Sequence, residues 1–243
     1  MNVIFWLIFV LTNTVIQAVP VNMYVIYTPS HQSLYEQFFL PSFKALGDDE
    51  INLVVKNIEQ TCKTACYKQA GWKDTTLQKV EMIIDAIYKT WNYYFIYSDV
   101  DVQFFGPIKK EIETVLQQYD LVVQKDHPNG TLCSGFFACK SNEKTLKLWQ
   151  DVYKTMCEKE KYSDQGALNY CLVKQKNPYN IRWTYLPKTY FGGATKTGHS
   201  WYPGQYVPVP QKPKMHHANW TVGLENKKKQ LGLVRKLVYY AKK

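Results

Sequence analysis

Long apolar runs are scarce in this 243-residue chain. The best candidate, residues 3–16, is broken by Thr12, Asn13 and Thr14 and falls short of the roughly 20 apolar residues a membrane helix needs. No Lys or Arg precedes Lys44, so a basic signal n-region and a positive-inside bias are both missing. Residues 1–21 read either as a signal or short anchor, with Ala18 placed before a cleavage point, or as an apolar extension packed on the domain. The first reading implies the secretory pathway or a membrane association, the second the cytoplasm. Six cysteines are too few for a disulfide scaffold. Cys62/Cys66 and Cys133/Cys139 are close in sequence, but no second pair stands at zinc spacing, which leaves buried thiols or one local disulfide. No internal repeat of 20–50 residues is visible, which excludes solenoids and propellers. Acidic residues are missing from the tail: the seven Lys and Arg of residues 227–243 carry +7 of the net +10. The body is close to neutral and offers no nucleic-acid groove. The tail is a solvated helix face or a phosphate contact.

Apolar and aromatic residues are plentiful, at 46% and 15% against 21% charged, which is a globular composition. Residues 23–27 (MYVIY), 51–55 and 93–97 (YYFIY) read as buried strands, joined later by 121–124, 136–140 and 181–186. Leu77, Val80, Ile84, Ile87 and Trp91 recur at helical spacing over 75–91, with Asp74 or Thr75 able to cap the start. Helices are also expected over 109–118, 142–157, 163–174 and 224–240, whereas Pro41 interrupts the helical pattern of 34–46. Strands alternating with helices predict an α/β fold with a mostly parallel sheet, helices on both faces, and a C-terminal lid or helix. Residues 22–243 read as one domain. Ligands in such sheets bind beyond the carboxyl ends of the strands, here after Tyr27 and Tyr97. Residues 191–213 hold four Gly and four Pro and read as a long functional loop.

Asp99-Val100-Asp101 closes the strand YYFIY. Carboxylates at i and i+2 point to one side of an extended chain and repel unless a cation neutralises them. Mg²⁺ or Mn²⁺ favours such oxygen ligands together with phosphate; hydrogen-bonded aspartates in a turn are the simpler alternative. Met215-His216-His217-Ala218-Asn219-Trp220 comes after the long loop, and adjacent His point in different directions, so one of them at most joins the same ion. Gly223 permits close backbone approach, and Lys227 at a helix start is placed to hold a phosphate. Lys79 is either a solvated side chain or a contact on the helix leading into the aspartates. Ser163-Asp164-Gln165 is a helix cap or a pair presented to sugar hydroxyls. The sequons at Asn129 and Asn219 are compatible with secretion.

The stretches YSDVDVQFFGP, CSGFFACKSNEKTLKLW, SDQGALNY, FGG and MHHANWTVGLENK occur in this order. Together they resemble the nucleotide-diphospho-sugar transferase family, a GT-A (Rossmann-like) group similar to retaining α-xylosyl- and α-galactosyltransferases. The resemblance covers about residues 23–235. It implies that Tyr27 and Thr28 meet the nucleobase and ribose, that Lys79 contacts the diphosphate, and that Asp99 contacts ribose or metal. It further implies that Asp101 and His217 bind Mn²⁺ or Mg²⁺, that Ser134 and Gly135 line the donor-sugar pocket, and that Gly223 and Lys227 cradle the leaving diphosphate. Asp164 and Gln165 fall near the reacting sugar as the catalytic candidates. The short segment before the first strand departs from the stem usual in Golgi members.

The expected activity is transfer of a hexose or pentose from a nucleoside diphosphate sugar, with UDP as the guessed carrier. The acceptor is an unidentified glycan, protein or lipid hydroxyl, and the configuration is retained; nucleic acid is not expected as a partner. The segment ending in His217 and Lys227 is expected to order over the donor as a lid. The alternatives are a carbohydrate- or nucleotide-binding module using the aromatic loop at Trp201, Tyr202 and Tyr206, and a metal phosphohydrolase, which lacks further acids at the strand ends.

Overall fold

The computed structural model describes residues 20–62, 69–194 and 198–240. Nearly all of the hydrophobic N-terminal segment, Cys66, and Lys242 and Lys243 lie outside the described residues. No helix among the described residues is long and apolar enough to cross a membrane.

The runs rich in β-branched and aromatic residues form the expected strands: β1 (Val21–Tyr27), β2 (Ile51–Asn57), β3 (Tyr94–Ser98), β5 (Leu121–Lys125), β6 (Leu132–Lys140) and β7 (Trp183–Tyr185). They make one six-stranded sheet in the order β2-β1-β3-β6-β5-β7. β6 alone runs against the others, because the short connection 126–131 folds it back on β5, and adjacent strands so joined must be antiparallel. The remaining pairs, β1–β2, β1–β3 and β5–β7, are parallel.

Alternate residues of the central strands feed two cores, which is why these strands read as unbroken apolar runs. Tyr24, Ile26, Phe95, Tyr97 and Phe137 pack against Val80, Ile83 and Ile87 of α3 (Trp72–Lys89) and Trp149 and Val152 of α5 (Glu143–Glu158). Met23, Val25, Ile96, Val122 and Phe136 pack on the other face against Leu34, Phe39 and Ile112 and Leu116 of α4 (Lys109–Gln118).

Three local expectations are corrected. Pro41 does not interrupt the helix between β1 and β2. That stretch runs from a 3₁₀ turn through α1 (Gln32–Leu34) and a π turn over Tyr35–Phe39 into α2 (Leu40–Lys44). Pro41, which has no N–H to donate, comes directly after the π turn, where the Leu40 N–H bonds to the Tyr35 carbonyl, and the chain stays helical on both sides of it. Helix α3 starts at Trp72 behind Gly71 (φ 79°) rather than at an Asp74 or Thr75 cap. A Cβ on Gly71 would lie 2.2 Å from the Thr61 carbonyl oxygen, so the chain reverses there only through glycine. Trp91 falls beyond the end of α3 and is exposed, whereas Lys79 takes a buried position on that helix.

A second, three-stranded sheet has the order β4-β9-β8, from β4 (Val102–Phe104), β8 (Tyr190–Gly192) and β9 (Met215–His217). The Gly- and Pro-rich loop is therefore anchored at both ends, and its Trp201 and Val207 are buried against Val234 and Val238 of α7 (Leu224–Tyr240). His217 is buried in β9, and Lys227 is half-buried in the first turns of α7. Cys133 and Cys139 are separate buried thiols, not a local disulfide.

Candidate active site

Strand β3 ends at Ser98 and delivers Asp99 and Asp101 at its carboxyl end. β4 follows at once and pairs antiparallel with β9 in a register that sets Val102 opposite His217. The Ala218 N–H donates to the Asp101 carbonyl (2.8 Å). This pairing carries His217, 116 positions away in sequence, to within 3.1 Å (Nε2) of Asp101 Oδ1. His216, on the opposite side of the same strand, stacks on Phe191 (4.8 Å), and burial pushes its pKa down to about 3.

Asp99, Asp101 and His217 each offer one ligand atom, and the three atoms lie within 4.8 Å of one another. This carboxylate and imidazole set suits Mn²⁺ or Mg²⁺. Two features of the surroundings fit an ion. His217 Nδ1 lies 2.9 Å from Gln124 Oε1, which as an acceptor holds a proton on Nδ1 and leaves Nε2, on the Asp101 side, as the nitrogen that would give up its proton to an ion. Gly135 in β6 lies directly beneath the group: a Cβ there would be 2.2 Å from His217 Cε1 and 2.7 Å from Asp99 Oδ2.

Burial opposes the Asp101 charge, but the Lys227 and His217 cations outweigh it and hold its carboxyl well below the usual range. Lys227, in the first turns of α7, is ion-paired with Asp101 Oδ2. Burial likewise opposes a His217 cation, and Asp101 with Cys133 reverses that and holds it at about 10.

Lys79 is buried between two acids, 3.1 Å from Asp99 Oδ1 and 2.8 Å from Asp164 Oδ2, with its ammonium 4.7 Å from the Tyr97 ring centroid. The two carboxylates keep it charged against its burial. Ser134 donates to Asp164 (2.7 Å). Ser163 caps α6 (Asp164–Asn169) by accepting from the Gly166 N–H, so the cap reading of this segment holds. Gln165 accepts from the Ser134 N–H (3.3 Å) and donates to Asp126 Oδ2 (3.0 Å). Tyr27 stacks on Tyr35 (4.8 Å), and Thr28 Oγ1 meets His31 Nδ1 at 3.2 Å. Gly223, at φ 87°, supplies the left-handed turn into α7.

All twelve residues that the resemblance assigns to the site line one pocket of about 590 Å³, a size suited to a small-molecule ligand. The sequence reading missed its floor. Asp126 accepts from Gln165 and from Asn219 Nδ2 (2.8 Å), its backbone carbonyl takes the Trp220 indole N–H (3.1 Å), and burial raises its pKa. Cys133 lines the pocket as well (Sγ 3.6 Å from His217 Nδ1), and Gln124 is buried behind His217. Asp126 stands at the carboxyl end of β5, so the strand-end rule applied to that strand would have found it. Trp201, by contrast, is buried away from the pocket with its indole N–H on the Gln205 carbonyl.

A mostly parallel sheet with helices on both faces and acids at the end of its third strand is a fold shared with glycosyltransferases. A glycosyltransferase involved in the glycosylation of the major capsid of PBCV-1 superposes with a TM-score of 0.59 at 11% identity, over 87% of this chain and 98% of its own. The glycosyltransferase GlyE of Streptococcus pneumoniae TIGR4 superposes with a TM-score of 0.50 at 14% identity, over 70% of this chain and 46% of its own. No curated protein matches the chain. Residues 41–231 match the nucleotide-diphospho-sugar transferase family, and the chain belongs to it; it is an enzyme of the glycosyltransferase class.

Proposed function

We propose that this enzyme transfers a hexose or pentose from a nucleoside diphosphate sugar, UDP being the favoured carrier, to an acceptor hydroxyl with retention of configuration and dependence on Mn²⁺ or Mg²⁺. The observation that carries the reading is the convergence of Asp99, Asp101 and His217 over Gly135, with Lys79 and Lys227 at either side. A bound divalent ion would supply charge neutralisation for the departing diphosphate. Lys227 is placed to exchange its Asp101 partner for a phosphate oxygen once the ion takes over that carboxylate. Lys79 stays fixed by Asp99 and Asp164 and orients both acids. Asp164 and Gln165 then stand where they shield the sugar as positive charge develops on it, with Ser134 holding both in place. Tyr27 and Thr28 form the rim for the base and ribose, and Gly223 lets the backbone close on the diphosphate.

A thermal-shift screen of nucleoside diphosphates and their sugars with and without Mn²⁺ tests this. A ligand at 100 times its Kd stabilises by about 2.7 kcal/mol, or roughly 5–10 °C for a chain of this size. UDP with Mn²⁺ should give the largest shift, and Asp101→Ala should abolish both the metal-dependent shift and nucleoside diphosphate release. A preference for GDP or CDP would overturn the choice of carrier, and full turnover in Asp101→Ala would overturn the metal site.

A further inference from the structure

Helix α7 has two unlike faces. Gln230, Leu231, Val234 and Val238 recur at helical spacing and are buried in the fold. Lys227 lies on the same side and reaches Asp101. At 3.6 residues per turn, the side about 180° away presents Lys229, Lys236 and Tyr240. Arg235 and Tyr239 flank these three on one side and Leu237 on the other, and all of them are exposed, Tyr240 by 69% and Tyr239 by 57%. Glu225 is the last acidic residue in the sequence and is ion-paired with Lys228 (2.8 Å). The outward face beyond it therefore carries cations, aromatic rings and Leu237 with no acid among them, and Lys242 and Lys243 follow in the sequence. Of the five described cations of the tail, Lys227 alone lines the pocket, so the site leaves the charge of this face unexplained.

We propose that the outward face of α7 docks on an anionic lipid surface. The proposal stands independently of the transferase reading. Charge complementarity selects the occupant: Lys229, Arg235 and Lys236 lie side by side on one face, as the phosphates of a headgroup layer do. The rings of Tyr239 and Tyr240, 5.7 Å apart and edge to face, have an apolar body and a polar tip, the form that settles at headgroup level. Solvation alone accounts for the lysines and gives no reason for Leu237 and two tyrosines among them. A nucleic-acid groove takes in a helix that projects from its protein, whereas α7 is packed along its inner side from Gln230 to Val238. Lys227 points to the opposite side of the helix, so docking does not compete with its contact to Asp101.

Cosedimentation of the full chain with vesicles tests this. Phosphatidylcholine vesicles are offered with and without about 30 mol% phosphatidylserine, at about 0.1 M and about 0.5 M NaCl. Binding to the anionic vesicles at the lower salt is expected, at least about tenfold tighter than to phosphatidylcholine alone, with loss at the higher salt. The double variant Lys229→Gln/Lys236→Gln removes two exposed cations and should weaken that binding roughly 20- to 30-fold, at about fivefold for each, with an unchanged Tm. Tyr240→Ala should weaken it severalfold. Parental affinity in the double variant overturns the proposal, as does a parent that binds neither vesicle. Equal, salt-independent binding to both vesicles also overturns it, because an apolar segment such as residues 3–16 would then carry the contact. Displacement of the anionic vesicles by duplex DNA at equal phosphate concentration overturns it in favour of nucleic acid.

Discussion

Replacing Gly135 by Ala adds one methyl group at the point where strand β6 passes under Asp99 and His217. The added carbon would stand 2.2 Å from His217 Cε1, 3.0 Å from Nε2 and 2.7 Å from Asp99 Oδ2, whereas ordinary contact begins near 3.4 Å. The imidazole or the strand must give by more than an ångström. Neither is free to do so: His217 is buried, bonded to Gln124 and Asp101 and anchored in β9, and β6 is paired on both sides. Overpacking costs about 1–3 kcal/mol, and loss of the Gln124 bond adds about 1–3 kcal/mol for the stranded buried groups. The expected total of about 2–6 kcal/mol lowers Tm by roughly 4–24 °C, and displacement of one ligand should weaken Mn²⁺ binding about 10- to 100-fold. Calorimetry with and without Mn²⁺ reads both quantities. Gly232→Ala is the control: it lies inside α7 with nothing within 4 Å of the added carbon, so it should stabilise by about 0.5–1 kcal/mol and leave Mn²⁺ affinity unchanged. Parental Tm and parental Mn²⁺ affinity in Gly135→Ala would refute the placement of the metal over Gly135.

The His217 pKa is raised from 6.5 to about 10, so its contribution to stability is complete below about pH 6.5 and is lost as pH rises through 10. The metal-free protein should therefore lose Tm between pH 7 and 10, Asp101→Asn should flatten that slope, and the Tm increment given by Mn²⁺ should grow with pH because binding displaces the proton. Lys79→Met leaves Asp164 buried without its cation and should cost about 3–5 kcal/mol, read as a large drop in the urea midpoint; a change under 1 kcal/mol would contradict the buried pairing. The Asn219 amide is held by Asp126 and the Gly193 N–H (2.7 Å), whereas Asn129 is exposed at the pocket. Secretion from a eukaryotic host should leave Asn219 unmodified in folded protein and allow a glycan only at Asn129, as peptide mass spectrometry would show; a glycan on Asn219 in active enzyme would contradict the packing.

Local chemistry determined much of this molecule. MYVIY and YYFIY are apolar at every position, and such runs are stable only as strands covered on both faces, so the layered sheet and the strand-end location of Asp99 and Asp101 follow from composition and order. The extent of α4 and α7 followed in the same way from their patterns. Tertiary structure decided what depends on pairing across long separations. Whether Pro41 stops a helix depended on a π turn that no local rule selects, and the start of α3 depended on how closely Gly71 passes the Thr61 carbonyl. Lys79 lies on an ordinary helical spacing, and only the arrival of Asp99 and Asp164 from two other segments makes it a buried ion. His216 and His217 are indistinguishable in sequence; the register of β9 on β4 turns one toward Asp101 and the other toward Phe191. Asp126 and Gln124 carried no motif of their own, because their chemistry comes from what β5, β6 and the segment after β9 bring together. A one-residue slip in either pairing would reverse which side chains face the pocket, so the site is written in register, which a linear pattern of residue types does not record.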